Sequence, residues 1–301
     1  MTTAPLIAAA PVSYGVFGAV GGPDLALTPR QLLAQMAEAG YAGSELGPPG
    51  FFGTPQQTAR AFAEEGLAMV AAYMPLHLSA GEEVLRQDRE AMDRSLPELA
   101  AGGTPGAIAV LADEGDPELI RHPFRDQGER GLTAAQWEVA VERLEAARLR
   151  ASAYGVEVSF HPHYGTYVEQ PGEIDALMAA SSVGLCFDAG HFLIGGADPV
   201  AYAAKYASRI NHVHVKDLRL AVAQRARAER NEDFEGWWED LCCPFGTGDV
   251  DLVGVVRELR AAGYRRWWVV EQDRGAVTDE TWRAAVADQR ANLGWLRATL
   301  G

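Results

Sequence analysis

Short apolar runs alternate along this chain with segments whose apolar positions recur every three or four residues. Eight runs stand out, at residues 6–14, 41–46, 67–73, 107–111, 156–160, 183–187, 210–215 and 267–270, and each predicts a strand. The segments between them predict helices, and several open with recognisable start signals. Thr28-Pro29-Arg30-Gln31 and Thr54-Pro55-Gln56-Gln57 each combine a hydroxyl N-cap, a proline in the first turn and a glutamine in the capping-box position. Thr133 and Gln136 repeat the cap and the box. Leu32, Leu33 and Met36 form an apolar stripe that Gly40 ends. Further helices are expected over 81–100, 171–180, 249–262 and 279–300. Eight strand-plus-helix units in 301 residues with no obvious linker predict an α/β protein, a single-domain (β/α)8 TIM barrel over 1–301. An open doubly wound sheet is the competitor. No G-x-G-x-x-G follows the first strand, which weakens its dinucleotide-binding form.

Two long excursions interrupt the pattern. Residues 112–132 are charged and read as irregular, and 216–248 contain Trp237, Trp238 and the adjacent Cys242 and Cys243. Loops of such length in a compact domain are commonly functional. Composition narrows the partners. The formal net charge of −15 repels nucleic acid and anionic membranes and leaves neutral small molecules and cations as the easier ligands. No apolar run approaches the roughly 20 residues of a membrane helix, and the opening residues lack the basic region of a secretory signal. Three cysteines make a poor disulfide framework, so a cytoplasmic location is expected. Homo-oligomerisation stays open.

Candidate chemistry gathers after the strands, where a parallel barrel builds its active site. Glu45 follows the second strand. His161, His163 and Glu169 follow the fifth, Asp188 and His191 the sixth. His214, Lys216 and Asp217 come from the seventh, and Glu271, Gln272 and Asp273 from the eighth. Strands alternate faces with period two, so Asp188 shares a face with Cys186, His214 with His212, and Glu271 with Val269. If those faces point inward, the three polar tips converge. Carboxylates with an imidazole suit Mn²⁺, Co²⁺, Mg²⁺ or Zn²⁺, which polarise a carbonyl and steady an enediolate. Plainer roles compete for individual residues. A carboxylate after a strand is commonly a helix cap, as Asp198 before Pro199 is expected to be. His212 reads as a hydrogen-bonded core residue, His77 and His122 as loop residues, Trp237 and Trp238 as loop packing, and Glu157 as a surface or helix-facing group.

Four stretches together resemble a known family: Ser159-Phe160-His161-Pro162-His163-Tyr164-Gly165-Thr166-Tyr167-Val168-Glu169, Phe187-Asp188-Ala189-Gly190-His191, His212-Val213-His214-Val215-Lys216-Asp217 and Val270-Glu271-Gln272-Asp273. They look like the xylose isomerase-like TIM-barrel superfamily, and within it the sugar isomerase/epimerase and 2-keto-myo-inositol (inosose) dehydratase branch. Ala10-Pro11-Val12-Ser13-Tyr14-Gly15-Val16 and Ser44-Glu45-Leu46-Gly47-Pro48 fit that branch too. The resemblance implies a divalent metal ion held by Asp188, His214, Glu271 and a carboxylate after strand five. In most of the superfamily that carboxylate sits at the strand end, where this chain has His161-Pro162-His163. The resemblance therefore points to Glu169, with direct ligation by His161 or His163 as the alternative. It further implies action on a keto-sugar or cyclitol through an enediolate, with dehydration set slightly ahead of isomerisation or epimerisation. Glu271 or Glu169 would remove the proton, and His161, His163 or Lys216 would deliver or position one. Glu45, His191 and Asp217 would bind substrate. A metal-dependent endonuclease and a non-catalytic sugar-binding barrel are the rival readings. The lack of a glycine-rich phosphate cradle favours a non-phosphorylated substrate.

Overall fold

The computed structural model describes residues 4–17, 28–121, 125–126, 128–275 and 279–301; His122 lies outside them. In chain order the strands are β1 (Ile7–Ala9), β2 (Gly43–Leu46), β3 (Ala68–Leu76), β4 (Ile108–Asp113), β5 (Glu157–His161), β6 (Gly184–Asp188), β7 (Ile210–Val215), β8 (Asp217–Leu218), β9 (Cys242–Cys243) and β10 (Trp268–Val270). Eight of them close a parallel barrel in the order β1-β10-β7-β6-β5-β4-β3-β2, and β8 and β9 form a separate antiparallel ribbon. The expected TIM barrel is the observed architecture. All three threonine capping boxes are present, with the Thr28, Thr54 and Thr133 hydroxyls each accepting from the backbone N–H three residues on.

Some boundaries differ from the sequence pattern for local reasons. The first apolar run is a strand only over Ile7–Ala9; Pro11, which has no N–H to donate, turns residues Pro11–Tyr14 into a 3-10 helix that Gly15 ends at φ +73°. Strand β3 runs on to Leu76, paired with Asp113 of β4. The excursion at 112–132 holds a short helix, Pro117–Arg121, and that at 216–248 holds the ribbon and the helices Leu220–Glu229 and Phe234–Leu241.

Register carries the inward face from strand to strand. Ala8, Val110, Cys186 and Val269 belong to a small cluster distinct from the large apolar core. Ala8 pairs with Val269, Val269 with His214, and His214 with Asp188. Parallel partners in register project to the same side, so His214 and Asp188 point into the barrel mouth with them. On β5, His161 stands two residues after Ser159, which pairs with the inward Val110.

Candidate active site

Four inward side chains meet at the carboxyl ends of the strands. One ligand-type atom from each of His161, Asp188, His214 and Glu271 lies within 4.8 Å of all the others, and all four residues are buried. Asp188 divides its oxygens between two tasks. Oδ1 accepts the N–H groups of Gly190 and His191 at 2.9 and 3.1 Å, capping the helix Ala189–Ile194. Oδ2 faces the cluster, 3.9 Å from both His161 Nε2 and His214 Nδ1. The helix-cap reading and the ligand reading of this residue are therefore both accommodated.

Neighbouring groups set the tautomers. His161 Nδ1 lies 2.9 Å from the Pro162 carbonyl oxygen, which can only accept, so Nδ1 carries the proton and Nε2 presents a lone pair. His214 Nε2 donates to Glu45 Oε1 at 2.9 Å, which turns Nδ1 toward the cluster. Burial opposes charge on this ring, but Cys186, Glu271 and Glu45 outweigh it and hold its pKa well above the usual histidine range. Nδ1 therefore carries a proton that a bound ion would displace. Nδ1 and Glu271 Oε2 lie 2.8 Å apart, yet neither has a hydrogen-bond partner among the described residues, and neither does Asp188 Oδ2. Buried polar atoms that make no hydrogen bond are costly. A cation among them removes that cost, and a hydrogen-bonded second ring nitrogen is the usual support of a metal-binding histidine. These residues fit a divalent ion.

Electrostatics agrees. Burial disfavours charge on His161, with His214 adding to the effect, and its pKa falls well below the usual histidine range. Burial raises Asp188 to about 6, with Lys216 opposing and Glu271 reinforcing. Burial would raise Glu45 as well, but His214 and His212 outweigh it and hold it at about 2. Its Oε1 also takes a 2.6 Å contact from His212 Nε2, which places His212 below the site as a hydrogen-bonded core residue. Burial works against the Lys216 ammonium, but Asp188, Asp273 and Glu271 outweigh it. Nζ sits 3.3 Å from Asp188, 3.5 Å from Glu271 and 2.9 Å from Asp273. His191 Nδ1 accepts the Tyr164 N–H at 3.1 Å, so its Nε2 carries the proton and faces Lys216 at 3.1 Å. Of the three carboxylates only Asp273 takes a hydrogen bond from the ammonium; Asp188 and Glu271 stand beside it as ion-pair partners.

Two expected site residues lie elsewhere. Glu169 is not brought to the cluster. Its carboxylate is held by buried Arg125, with Nε at 3.0 Å, and by the Gly165 N–H at 2.5 Å, while Arg125 also reaches Glu173. The strand-five position in the cluster is taken by His161. Asp217 was expected to bind substrate, but its carboxylate accepts four backbone N–H groups, from Leu218, Gly246, Gly248 and Val250, and so ties the loop after β9. His191 packs against Trp238 at 5.1 Å and supports Lys216 rather than lining the open space. His163, Lys216, Glu45 and Glu271 line a cavity of about 770 Å³ above the cluster.

Sequence reasoning passed over several lining groups. Tyr73 and His77 from β3 and its end, and Glu114 after β4, reach the cavity although no local motif marks them. Asp273, noted only as a polar residue after the last strand, is aimed by the indole N–H of Trp238 at 2.7 Å. Arg125, in the charged excursion, carried no signal beyond its charge.

Comparison with known proteins adds four likenesses. The family model described as xylose isomerase-like TIM barrel matches residues 33–299. The rhizopine catabolism protein MocC of Rhizobium meliloti is 35% identical over 254 residues, 81% of this chain and 74% of that protein. The inosose dehydratase of Geobacillus thermodenitrificans is 28% identical over 256 residues, 82% of this chain and 83% of that one. Among solved structures, the IOLI protein with a bound zinc atom superposes with a TM-score of 0.69 at 13% identity, covering 98% of this chain and 97% of that one.

Proposed function

The chain belongs to the xylose isomerase-like TIM-barrel family, and on that footing we propose that it is a divalent-metal-dependent enzyme that removes water from a keto-cyclitol or related keto-sugar. One observation carries the reading: Asp188 Oδ2, His214 Nδ1 and Glu271 Oε2, none of them hydrogen-bonded among the described residues, converge with His161 at the floor of the cavity. The relatives named as inosose dehydratases support the substrate class. Two imidazoles beside two carboxylates favour a borderline ion such as Mn²⁺, Co²⁺ or Zn²⁺ over Mg²⁺. When bound, that ion supplies a Lewis acid for the substrate carbonyl.

The chain's own groups divide the remaining work. Glu271 is held ionised: burial opposes the charge, but His214 and Lys216 outweigh it. His163 donates from Nδ1 to the Tyr164 carbonyl oxygen at 3.0 Å and is kept neutral by burial and by Lys216, so its Nε2 is a base. One of these two takes the proton from the carbon beside the carbonyl. The C–H electron pair forms the new double bond, the C–O bond to the neighbouring hydroxyl breaks, and hydroxide leaves as water with a proton from Lys216. Return of the abstracted proton to Lys216 closes the balance as loss of one water. Reprotonation of carbon instead gives isomerisation or epimerisation on the same site.

The test is incubation with 2-keto-myo-inositol and a panel of ketoses in D₂O with Mn²⁺ or Co²⁺. Metal-dependent appearance of the enone is expected. Deuterium incorporation without water loss marks the isomerase or epimerase reading. Absence of both across the panel overturns the class.

A further inference from the structure

The turn after β3 is held at every backbone polar atom of His77 and Leu78. The His77 N–H donates to Asp88 Oδ2 at 2.8 Å, and the Leu78 N–H donates to Asp113 Oδ1 at 3.0 Å. Both carbonyls accept from Arg143 Nη1 at 3.0 Å. These partners come from three separate elements: the helix Glu82–Ala101, β4 and the helix Ala134–Ser152. With the backbone so fixed, the ring receives one more constraint. Nδ1 lies 2.9 Å from Asp88 Oδ1, and Asp88 is itself buried. A carboxylate there makes Nδ1 the donor, so Nε2 keeps a lone pair. Nε2 makes no hydrogen bond among the described residues, and His77 lines the cavity.

Its place in the barrel gives the ring a distinct task. In the closed order β3 lies across the barrel from β7, which carries His214 and leads into Lys216. The same wall holds a second polar pair, Tyr73 Oη donating to Glu114 Oε1 at 2.6 Å, and both residues line the cavity. The cavity therefore has two polar poles. One is the His161–Asp188–His214–Glu271 cluster with Lys216; the other is an aimed acceptor, His77 Nε2.

We propose that His77, oriented by Asp88, is a specificity-determining residue that accepts a hydroxyl on the part of the substrate ring remote from the carbonyl. It selects a polyhydroxylated ring over a simple hydroxyketone. The proposal deepens the reading of the site as one for a keto-cyclitol or keto-sugar and rests on it. A histidine that only pinned the turn would be redundant with Asp113 and Arg143, and its loss would not discriminate between ligands.

Calorimetric titration of the metal-loaded protein with 2-keto-myo-inositol and with 2-hydroxycyclohexanone tests this. In His77→Ala the affinity for the polyol ketone falls about 10-fold, as loss of one hydrogen bond to a hydroxyl gives, while that for 2-hydroxycyclohexanone and the metal content stay at wild-type values. His77→Gln, which keeps an acceptor and serves if the alanine variant misfolds, recovers part of the selectivity. Equal loss for both ketones, or no loss for either, overturns the anchor. Wild-type protein that binds neither ketone overturns the anchor together with the reading beneath it. Wild-type protein that binds the polyol ketone but neither dehydrates it nor exchanges deuterium overturns that reading alone, and the same affinity ratio then decides the anchor.

Discussion

Asp188 and His214 stand opposite each other in register on neighbouring strands, with Oδ2 and Nδ1 3.9 Å apart and neither atom hydrogen-bonded among the described residues. Asp188→Asn keeps an oxygen for the two N–H groups it caps, so the fold should persist. The substituted amide presents a neutral group to the cluster. Supporting partners of a metal histidine are worth about 10–100-fold in affinity, and a direct ligand exceeds that, so Mn²⁺ or Zn²⁺ affinity falls by at least about 100-fold. Metal analysis after gel filtration, with Tm of the metal-free protein as control, checks both halves.

His161 and His163 occupy the place where the wider superfamily is expected to carry a carboxylate, and the two rings have different surroundings. His161 presents Nε2 to the cluster, while His163 faces the cavity. His161→Ala should lose metal; His163→Ala should keep metal and lose turnover, by about 100-fold or more for a proton-transfer group. Paired metal content and kcat for the two variants separate the roles, and metal loss in both would merge them.

Glu169 is joined to Arg125 in a pocket that leaves the arginine side chain only 2% exposed. Arg125→Ala strands the buried carboxylates of Glu169 and Glu173, and breaking such a buried pair costs about 3–5 kcal/mol. Glu169→Gln should leave metal affinity unchanged. Urea unfolding and metal titration of the two variants check this, and metal loss in Glu169→Gln would return that residue to the ligand set.

The pH dependence has a definite sign. Asp188 rises from 3.8 to about 6 on folding without metal, chiefly through burial. A carboxyl raised on folding stabilises below its unfolded pKa, and that stability is lost as pH climbs through about 6. Metal requires the ionised form and reverses the preference. The Tm gap between metal-loaded and chelator-treated protein should therefore be small near pH 5 and widen through pH 6 to 7. A gap that shrinks over this range would place the controlling group elsewhere.

The sequence by itself determined the barrel, through eight strand-plus-helix units and their caps. It also determined which residues share a face with Asp188, His214 and Glu271, because side-chain alternation along a strand is a local property; that those faces point inward came only with the closed barrel. The same alternation sets Asp217 on the opposite phase from His214 and Lys216, a signal that could have separated it from the site. Tertiary structure alone brought His161, and not Glu169, to the cluster. That choice depends on Arg125, 44 residues before Glu169 in the chain, and on the pairing of β4 with β5. It also fixed the ring of His77, which is a loop residue as expected, since Asp88, Asp113 and Arg143 meet it only after the helices pack on the barrel. Periodicity records which way a side chain points, whereas the identity of its neighbours depends on contacts that local spacing does not encode.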